Sequence, residues 1–251
     1  MKNTKLNTYL LVTFILIGFN TCFAAPPPIF TAGIGQGTAT VRGDYVVDLS
    51  HTVVALGIDY ESDKLLFTFD GHVSQNDTFK QLRLLAGYGN RYIKLGTGLI
   101  GLQSSIPTAP GALWFFPFDT NRRTDVSATT VPLYLRLHPY VSEDIQVTID
   151  GYYGLYTQGS LSIPMKLGGK VSTEPKRSHG RYGYGASIQW RSSRWPRIGL
   201  KLGYSVDVGE MDAGSSVVSG DPFGLIPPLS MPALTLENRT VLLSVVIFGK
   251  E

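Results

Sequence analysis

The stretch RIGLKLGYSVDVG, residues 197–209, alternates between apolar and polar or small side chains along its whole length. One register carries apolar side chains throughout: Ile198, Leu200, Leu202, Tyr204, Val206 and Val208. A period of two predicts a β-strand with one apolar and one polar face. In a soluble sandwich the apolar face packs inward, whereas in a membrane-spanning barrel it points outward to lipid and the charges line the interior. The direction of the apolar faces therefore decides the fold.

The N-terminal residues have the pattern of a secretory signal peptide. Lys2 and Lys5 precede an apolar run over 9–19, which small residues follow. We expect residues 1–24 to be removed, because the apolar run is shorter than the ~20 residues of a membrane-spanning helix. The single cysteine, Cys22, would leave with them, and the formal charge would fall from +3 to +1. The mature chain then has no disulfide and no basic surface for nucleic acid, so no nucleic-acid partner is expected.

The remaining sequence contains alternating segments and turns, with no sustained helical periodicity. It predicts about ten strands, with eight to twelve compatible with the pattern, most of them roughly 10–14 residues long. Such lengths exceed the 5–6 residues typical of soluble proteins and suit a tilted bilayer crossing of ~9–11 residues. The predicted strands are 38–49, 52–61, 64–74, 79–89, 92–104, 129–141, 145–158, 181–192, 196–210 and 235–249, with a first hairpin at 49–51.

Charged side chains of these predicted strands fall on the register opposite the apolar one, and glycines such as Gly183, Gly185 and Gly203 accompany them. Glycine offers no advantage on a solvent-facing surface, whereas inside a narrow lumen it leaves space for long cationic side chains. We therefore predict that the apolar faces point outward and that opposite charges pair inside the lumen. The predicted lumen network comprises Arg42, Asp44, Asp59, Arg83, Arg136, Asp150, Arg181, Arg197, Lys201 and Asp207.

The connections between predicted strands alternate in length. Short links occur at ESDK, GNR, YVSED and SSRWP, whereas the long connections span 105–128, 159–180 and 211–234. All the long connections fall at the same end of the strands. Short turns at one end and long loops at the other are typical of barrels in the bacterial outer membrane.

On these features, and on the alternating last strand NRTVLLSVVIFGKE, the chain resembles the small bacterial outer-membrane β-barrels. The resemblance is architectural, and no motif identifies a particular family among them. Those proteins usually finish on an aromatic residue, whereas here Gly249, Lys250 and Glu251 follow Phe248. The resemblance implies a single all-β domain, an antiparallel up-and-down transmembrane barrel over 38–251, with a periplasmic lead-in at 25–37. It also implies location in the outer membrane, contact with its lipid and lipopolysaccharide, and insertion by the barrel assembly machinery; it leaves the oligomeric state open.

Catalytic candidates are few. In LLFTFDGHVSQ, the side chains of Asp70, His72 and Ser74 share one face near the predicted rim of the long loops. Outer-membrane proteases and lipid A deacylases resemble this in keeping a histidine beside an aspartate or serine. Asp70 could orient the imidazole, and Ser74 or a water molecule could then attack a substrate. The competing interpretation is a solvated lumen network, because residues two apart on a strand rarely adopt the geometry of a catalytic triad.

Two long connections carry candidate contact residues. An aromatic cluster is predicted either to pack over the barrel mouth or to bind a hydrophobic molecule or host surface: Trp114, Phe115, Phe116 and Phe118. Lys176 and Arg177 could contact lipopolysaccharide phosphates, or be ordinary solvated charges. The four histidines are widely separated and no nucleotide-binding motif is present, so no metal and no cofactor are expected.

Three functional hypotheses follow. The first is a non-enzymatic outer-membrane barrel with a narrow charged lumen and long extracellular loops, serving small-solute passage, adhesion or envelope stability. The second is a hydrolase at the barrel rim that acts on lipid A or peptide through Asp70 and His72. The third is a soluble secreted β-barrel that binds an apolar ligand inside.

Overall fold

A computed structural model of the chain describes residues 27–42, 46–76, 78–108, 112–113, 116–166, 168–173, 176–177, 180–211, 214–219, 229–231 and 234–249. Its long strands form an antiparallel up-and-down barrel of ten strands. They are β1 (Ile29–Arg42), β2 (Val46–Glu61), β3 (Leu65–Ser74), β4 (Phe79–Gly89), β5 (Ile93–Pro107), β6 (Arg123–Val141), β7 (Ile145–Pro164), β8 (Tyr182–Arg191), β9 (Ile198–Met211) and β10 (Leu234–Phe248). No helix among these residues is long and apolar enough to cross a membrane.

The barrel closes through its first and last strands. Each strand pairs with the next along the chain, and β1 pairs with β10 in an antiparallel register that sets Ile29 opposite Phe248. Closure leaves none of these ten strands as an open edge, which is the arrangement that satisfies every backbone donor and acceptor within a bilayer.

One end of the barrel carries only tight turns, and we call it the turn end; the other is the loop end. At the turn end, the Ser62 hydroxyl accepts a hydrogen bond from the Leu65 amide (2.9 Å), and Asn90 Oδ1 accepts one from the Ile93 amide (2.9 Å). Side-chain oxygens that replace a backbone acceptor in this way favour short turns at Ser and Asn. The long connections after β5, β7 and β9 all lie at the loop end, as predicted, whereas the link from β3 to β4 at that end spans only residues 75–78.

The first two strands differ from the prediction. Residues 29–37, assigned to a lead-in, form the first part of β1, and residues 49–51, predicted as a hairpin, lie inside β2. Glycines on the inward register of β1 hid its alternation. A Cβ atom at Gly37 would lie 2.5 Å from His51 Nε2, so the absent side chain makes room for that histidine. The predicted signal peptide at 1–24 lies outside the described residues.

The outer face of the barrel is apolar, which confirms the predicted direction of the strand faces. Leu56, Leu202 and Leu243 each expose more than half of their surface. Aromatic side chains are exposed at both borders of this band: Tyr88, Tyr92, Trp190 and Trp195 towards the turn end, and Tyr153, Tyr156 and Tyr182 towards the loop end. An apolar band between two aromatic girdles is the surface pattern of a transmembrane barrel.

The loop-end part of the lumen is filled by packed apolar side chains, which we call the apolar plug. Its members are Val41, Phe79, Leu102, Ile106, Val126, Leu161, Met165, Val171 and Leu236. Phe118 packs against them. At the same end, the short strands Lys170–Thr173, Gly214–Ser219 and Leu229–Met231 extend the sheet from β7.

Candidate functional site

Polar side chains occupy the lumen below the apolar plug, and the cluster nearest the turns, the turn-end network, centres on Glu61. Lys94 Nζ donates to Glu61 Oε1 at 2.7 Å, and His138 Nε2 lies 2.6 Å from the same oxygen. Arg136 Nη1 lies 3.4 Å from Glu61 Oε2. Glu61 belongs to β2, whereas its partners belong to β5 and β6, which do not pair with β2. These contacts therefore cross the lumen.

Arg136 also joins β6 to the next wall. Its Nε donates to Asp150 Oδ1 at 2.8 Å, and the Tyr134 hydroxyl donates to the same oxygen. Arg136 Nη1 lies 3.7 Å from Asp59 Oδ1. Because the guanidinium is buried, its charge requires these carboxylates, and removing one of them would leave an uncompensated charge.

A second cluster, the Asp207 network, lies further towards the loop end. Arg181 Nε and Nη2 donate to the two oxygens of Asp207 at 3.2 and 3.1 Å. Gln81 Nε2 donates to Asp207 Oδ2 at 2.6 Å, and the Tyr152 hydroxyl donates to the same oxygen. Arg181 Nη1 also lies 3.2 Å from Thr130 Oγ1. The Asp207 carboxylate thus ties β4 and β7 to β9, and the two-pronged Arg181 extends the network to Thr130 of β6.

Asp70, His72 and Ser74 all face the lumen and are buried, as their spacing predicts. His72 Nε2 lies 3.6 Å from Asp70 Oδ1, but Arg83 Nε donates to both Asp70 oxygens, at 2.8 and 3.1 Å. The Ser74 hydroxyl accepts a hydrogen bond from the Phe79 amide at 2.8 Å. Among the described contacts, none joins Ser74 to His72. The three residues share a face without forming the nucleophile–base pair that covalent catalysis requires.

Most of the predicted lumen network lies in the lumen: Asp59, Arg83, Arg136, Asp150, Arg181, Lys201 and Asp207. Two members do not. Arg42 contacts Glu237 at 3.5 Å and lies on the outward register, because it shares the face of Phe30 and Ile34 in β1. Arg197 is exposed in the turn before β9, which begins at Ile198. Asp44 lies outside the described residues.

The predicted loop contacts are described only in part. Phe118 packs on the apolar plug, which fits the packing alternative. The structure describes the backbone but not the side chains of three of these residues, Phe116, Lys176 and Arg177, which belong to short strands. Trp114 and Phe115 lie outside the described residues. The predicted contact of Lys176 and Arg177 with lipopolysaccharide stays a prediction.

The prediction from sequence missed several lumen residues, above all Glu61, Gln81, Tyr134 and Tyr152. Glu61 was assigned to the turn ESDK, and the other three are uncharged, so a search for opposite charges could not find them. The one feature of the sequence that could have indicated these residues is their position on the inward-facing register of their strands. Within the described part of the chain, no group of three or more His, Cys, Asp or Glu side chains could hold a metal ion.

No family model matches the chain, and no curated protein matches it in sequence. Solved structures do match. The outer membrane protease OmpT from Escherichia coli is 10% identical with a TM-score of 0.57, over 91% of this chain and 99% of that chain. Ail of Yersinia pestis, in complex with the heparin analogue sucrose octasulfate, is 11% identical with a TM-score of 0.40, over 88% and 99%. Neisserial surface protein A is 10% identical with a TM-score of 0.38, over 87% and 96%. At such identity the OmpT match concerns the fold alone, and the chain has the fold of the bacterial outer-membrane β-barrels.

Proposed function

We propose that this chain is a non-enzymatic barrel of the bacterial outer membrane whose lumen is closed to solutes and whose function lies at its loop end, on the cell surface. The apolar outer face and its two aromatic borders support placement in a membrane. The loop end then faces outward from the cell, as long loops do in such barrels.

The observation that carries this proposal is the double closure of the lumen. The apolar plug fills the loop-end part, and the Asp207 network joins opposite walls directly below it. A barrel of ten strands is only slightly wider than the eight-stranded barrels that side chains alone can fill, whereas open porins use ~16–18 strands. Passage of solutes is therefore the least supported of the three tasks considered for such a barrel.

The loop end offers surface instead. The strands β6 and β7 contain 19 and 20 residues, about twice the ~9–11 that a bilayer crossing needs. Their loop-end halves, with the strand Gly214–Ser219, form a sheet that continues beyond the apolar band. We propose that this sheet makes contact with molecules outside the cell, in the sense of adhesion.

The hydrogen bonds of Asp70 and Ser74 support the proposal that the protein is not an enzyme. Arg83 occupies both oxygens of Asp70, and the Ser74 hydroxyl holds the Phe79 amide. OmpT is a protease, but a fold shared at 10% identity carries no activity to this chain.

The orientation is tested by thiol labelling in intact cells. The single native cysteine is Cys22, in the predicted signal peptide, so Ser216→Cys and Ser193→Cys each introduce one thiol into the predicted mature chain. We expect a membrane-impermeant maleimide to label Ser216→Cys at the loop end and not Ser193→Cys at the turn end. Labelling of Ser193→Cys alone would show that the turn end, and not the loop end, faces outward from the cell.

Closure is tested with purified protein in planar bilayers. We expect no stable open state for the wild type at neutral pH, and retention of the protein in membranes after carbonate washing. A steady conductance of porin size would contradict the closed lumen, and recovery in the soluble fraction would contradict the membrane barrel.

A further inference from the structure

A cavity remains in the lumen beside the two networks, along the wall formed by β8, β9, β10 and β1. Its volume is about 130 Å³, whereas a cavity of ~10–15 Å³ suffices for one water molecule. The lining extends from Thr31 and Lys201 near the turn end to Gln81 and Asn238 in mid-strand, and no residue of the apolar plug contributes to it. The cavity is a polar recess in the turn-end half of the lumen, large enough for a small organic molecule.

Three glycines contribute to this wall, and at one of them the space is open. Gly183, Gly185 and Gly203 all line the cavity. A Cβ atom added at Gly203 would meet no atom closer than 3.6 Å, so the space there is open. The turn-end network joins β2, β5 and β6 on the other side of the lumen, and does not fill the recess.

Among the residues of this wall that line the cavity, Lys201 is the cation, and Asp207 is the anion that Arg181 and Gln81 already bind. It lies opposite Ser244 of β10 in the strand register, and both line the cavity. Lys94, Arg136 and Arg181 each have a carboxylate within 4.0 Å, but among the described residues Lys201 has none. Its ammonium group is therefore available to an acceptor inside the recess.

The strands that flank this wall, β2 and β7, present two carboxylates that each have an unused oxygen. Asp59 Oδ1 accepts from Thr68 Oγ1 at 2.6 Å, and Asp150 Oδ1 accepts from Arg136 and Tyr134. These described contacts use Oδ1 in both residues, which leaves Oδ2 available to a donor. Asp59, Asp150 and Lys201 all line the same cavity.

The formal charges of this part of the lumen cancel. Five carboxylates line the cavity or join the networks, and five cations match them: Asp59, Glu61, Asp70, Asp150 and Asp207 against Arg83, Lys94, Arg136, Arg181 and Lys201. A ligand with a net charge would leave one charge uncompensated in a confined space, which is unfavourable. A ligand that carries both signs preserves the balance.

We propose that the recess binds a small zwitterion of the size and charge of a free α-amino acid. Its carboxylate accepts hydrogen bonds from the Lys201 ammonium and the Ser244 hydroxyl. Its ammonium donates to Asp59 and Asp150 across the recess. This binding site goes beyond the proposed function, because a lumen closed at the loop end can still hold a solute on the turn side.

Isothermal titration of the purified full chain in detergent tests the proposal with three probes at matched ionic strength: glycine, acetate and methylammonium. We expect saturable binding of glycine and markedly weaker binding of the two singly charged probes. Lys201→Met should weaken glycine binding about tenfold or more, as the loss of a charge-assisted hydrogen bond predicts. Lys64→Met, in the exposed turn before β3, is the matched control and should bind glycine like the wild type.

Several results would overturn the site. They are absence of glycine binding to the wild type, equal binding of acetate, and unchanged glycine binding by a folded Lys201→Met variant. Folding of each variant is checked by the shift in gel mobility on heating. If Lys201→Met does not fold, the comparison of the three probes on the wild type decides the question alone. These outcomes are independent of conductance, so failure of this site leaves the closed lumen standing.

Discussion

Gln81 and Asp207 lie on β4 and β9, on opposite walls of the barrel, yet Gln81 Nε2 donates to Asp207 Oδ2 across only 2.6 Å. The same carboxylate receives both arms of Arg181, whose side chain is only 1% exposed. The lumen is therefore bridged by direct hydrogen bonds at this level, and Asp207 is the residue on which the bridge depends.

Asp207→Ala should be the more damaging of two variants at this bridge. It leaves Arg181 buried without a carboxylate, and breaking a buried pair in this way typically costs about 3–5 kcal/mol. Gln81→Ala removes one hydrogen bond to a charged group, worth about 1.5–3 kcal/mol. Denaturant unfolding in lipid vesicles measures both. Equal losses of unfolding free energy in the two variants would show that Arg181 does not depend on Asp207 for charge compensation. Replacing both partners, in Arg181→Met with Asp207→Leu, should recover much of the stability that Asp207→Ala loses.

The orientation of the strand faces can be tested on neighbouring residues of β9. Leu202 points outward and is 51% exposed, so Leu202→Arg should place a charge against lipid at a cost of about 2–4 kcal/mol near the bilayer midplane. At Gly203 the inward space admits a Cβ atom at 3.6 Å from its nearest neighbour, so Gly203→Ser should change stability little. Unfolding of both variants in vesicles gives the comparison. A larger loss for Gly203→Ser would mean that the lumen lies on the opposite face.

The sequence alone was sufficient for the fold and most of the charged lumen because period-two alternation states which side chains share a face. It was insufficient for strands in which the two faces do not differ in the expected way between apolar and polar side chains. Gly33, Gly35 and Gly37 gave β1 no inward pattern, so its first half was placed in a lead-in. Phe79 and Leu161 point inward beside polar neighbours such as Lys80 and Ser162, so the alternation at the loop end is the reverse of that in the apolar band. Contacts across the lumen, such as Gln81 with Asp207, depend on barrel closure, which no local pattern encodes.

Acid should destabilise the barrel. Glu61 and Asp150 are bound to cations in the folded protein and are solvated in the unfolded chain. Carboxylates stabilised in this way take up protons more readily after unfolding, so stability is full at neutral pH and falls as the pH decreases below about 4. The free energy of unfolding in vesicles at pH 7 and pH 3 measures the effect.

Glu61→Gln provides the control for this pH dependence. The amide cannot be protonated in this range, so the variant should be less stable than the wild type at pH 7 and should lose less on going to pH 3. Asp48→Asn, on the outward face beside Thr40, should leave the pH dependence nearly unchanged. A wild type that is equally stable at both pH values would contradict the lumen ion pairs.

The two closures of the lumen should act in series. Phe79→Ala with Leu161→Ala opens space in the apolar plug, and large-to-small changes of this kind cost about 2–5 kcal/mol each. We still expect no stable conductance from this double variant, because the Asp207 network spans the lumen below the plug. Arg181→Met with Asp207→Leu should also remain closed, because the plug is intact. Only the combination of all four substitutions removes both barriers, and it should give small, resolvable openings in planar bilayers, far below those of porins with ~16–18 strands. A steady channel in either double variant would show that one barrier alone closes the barrel.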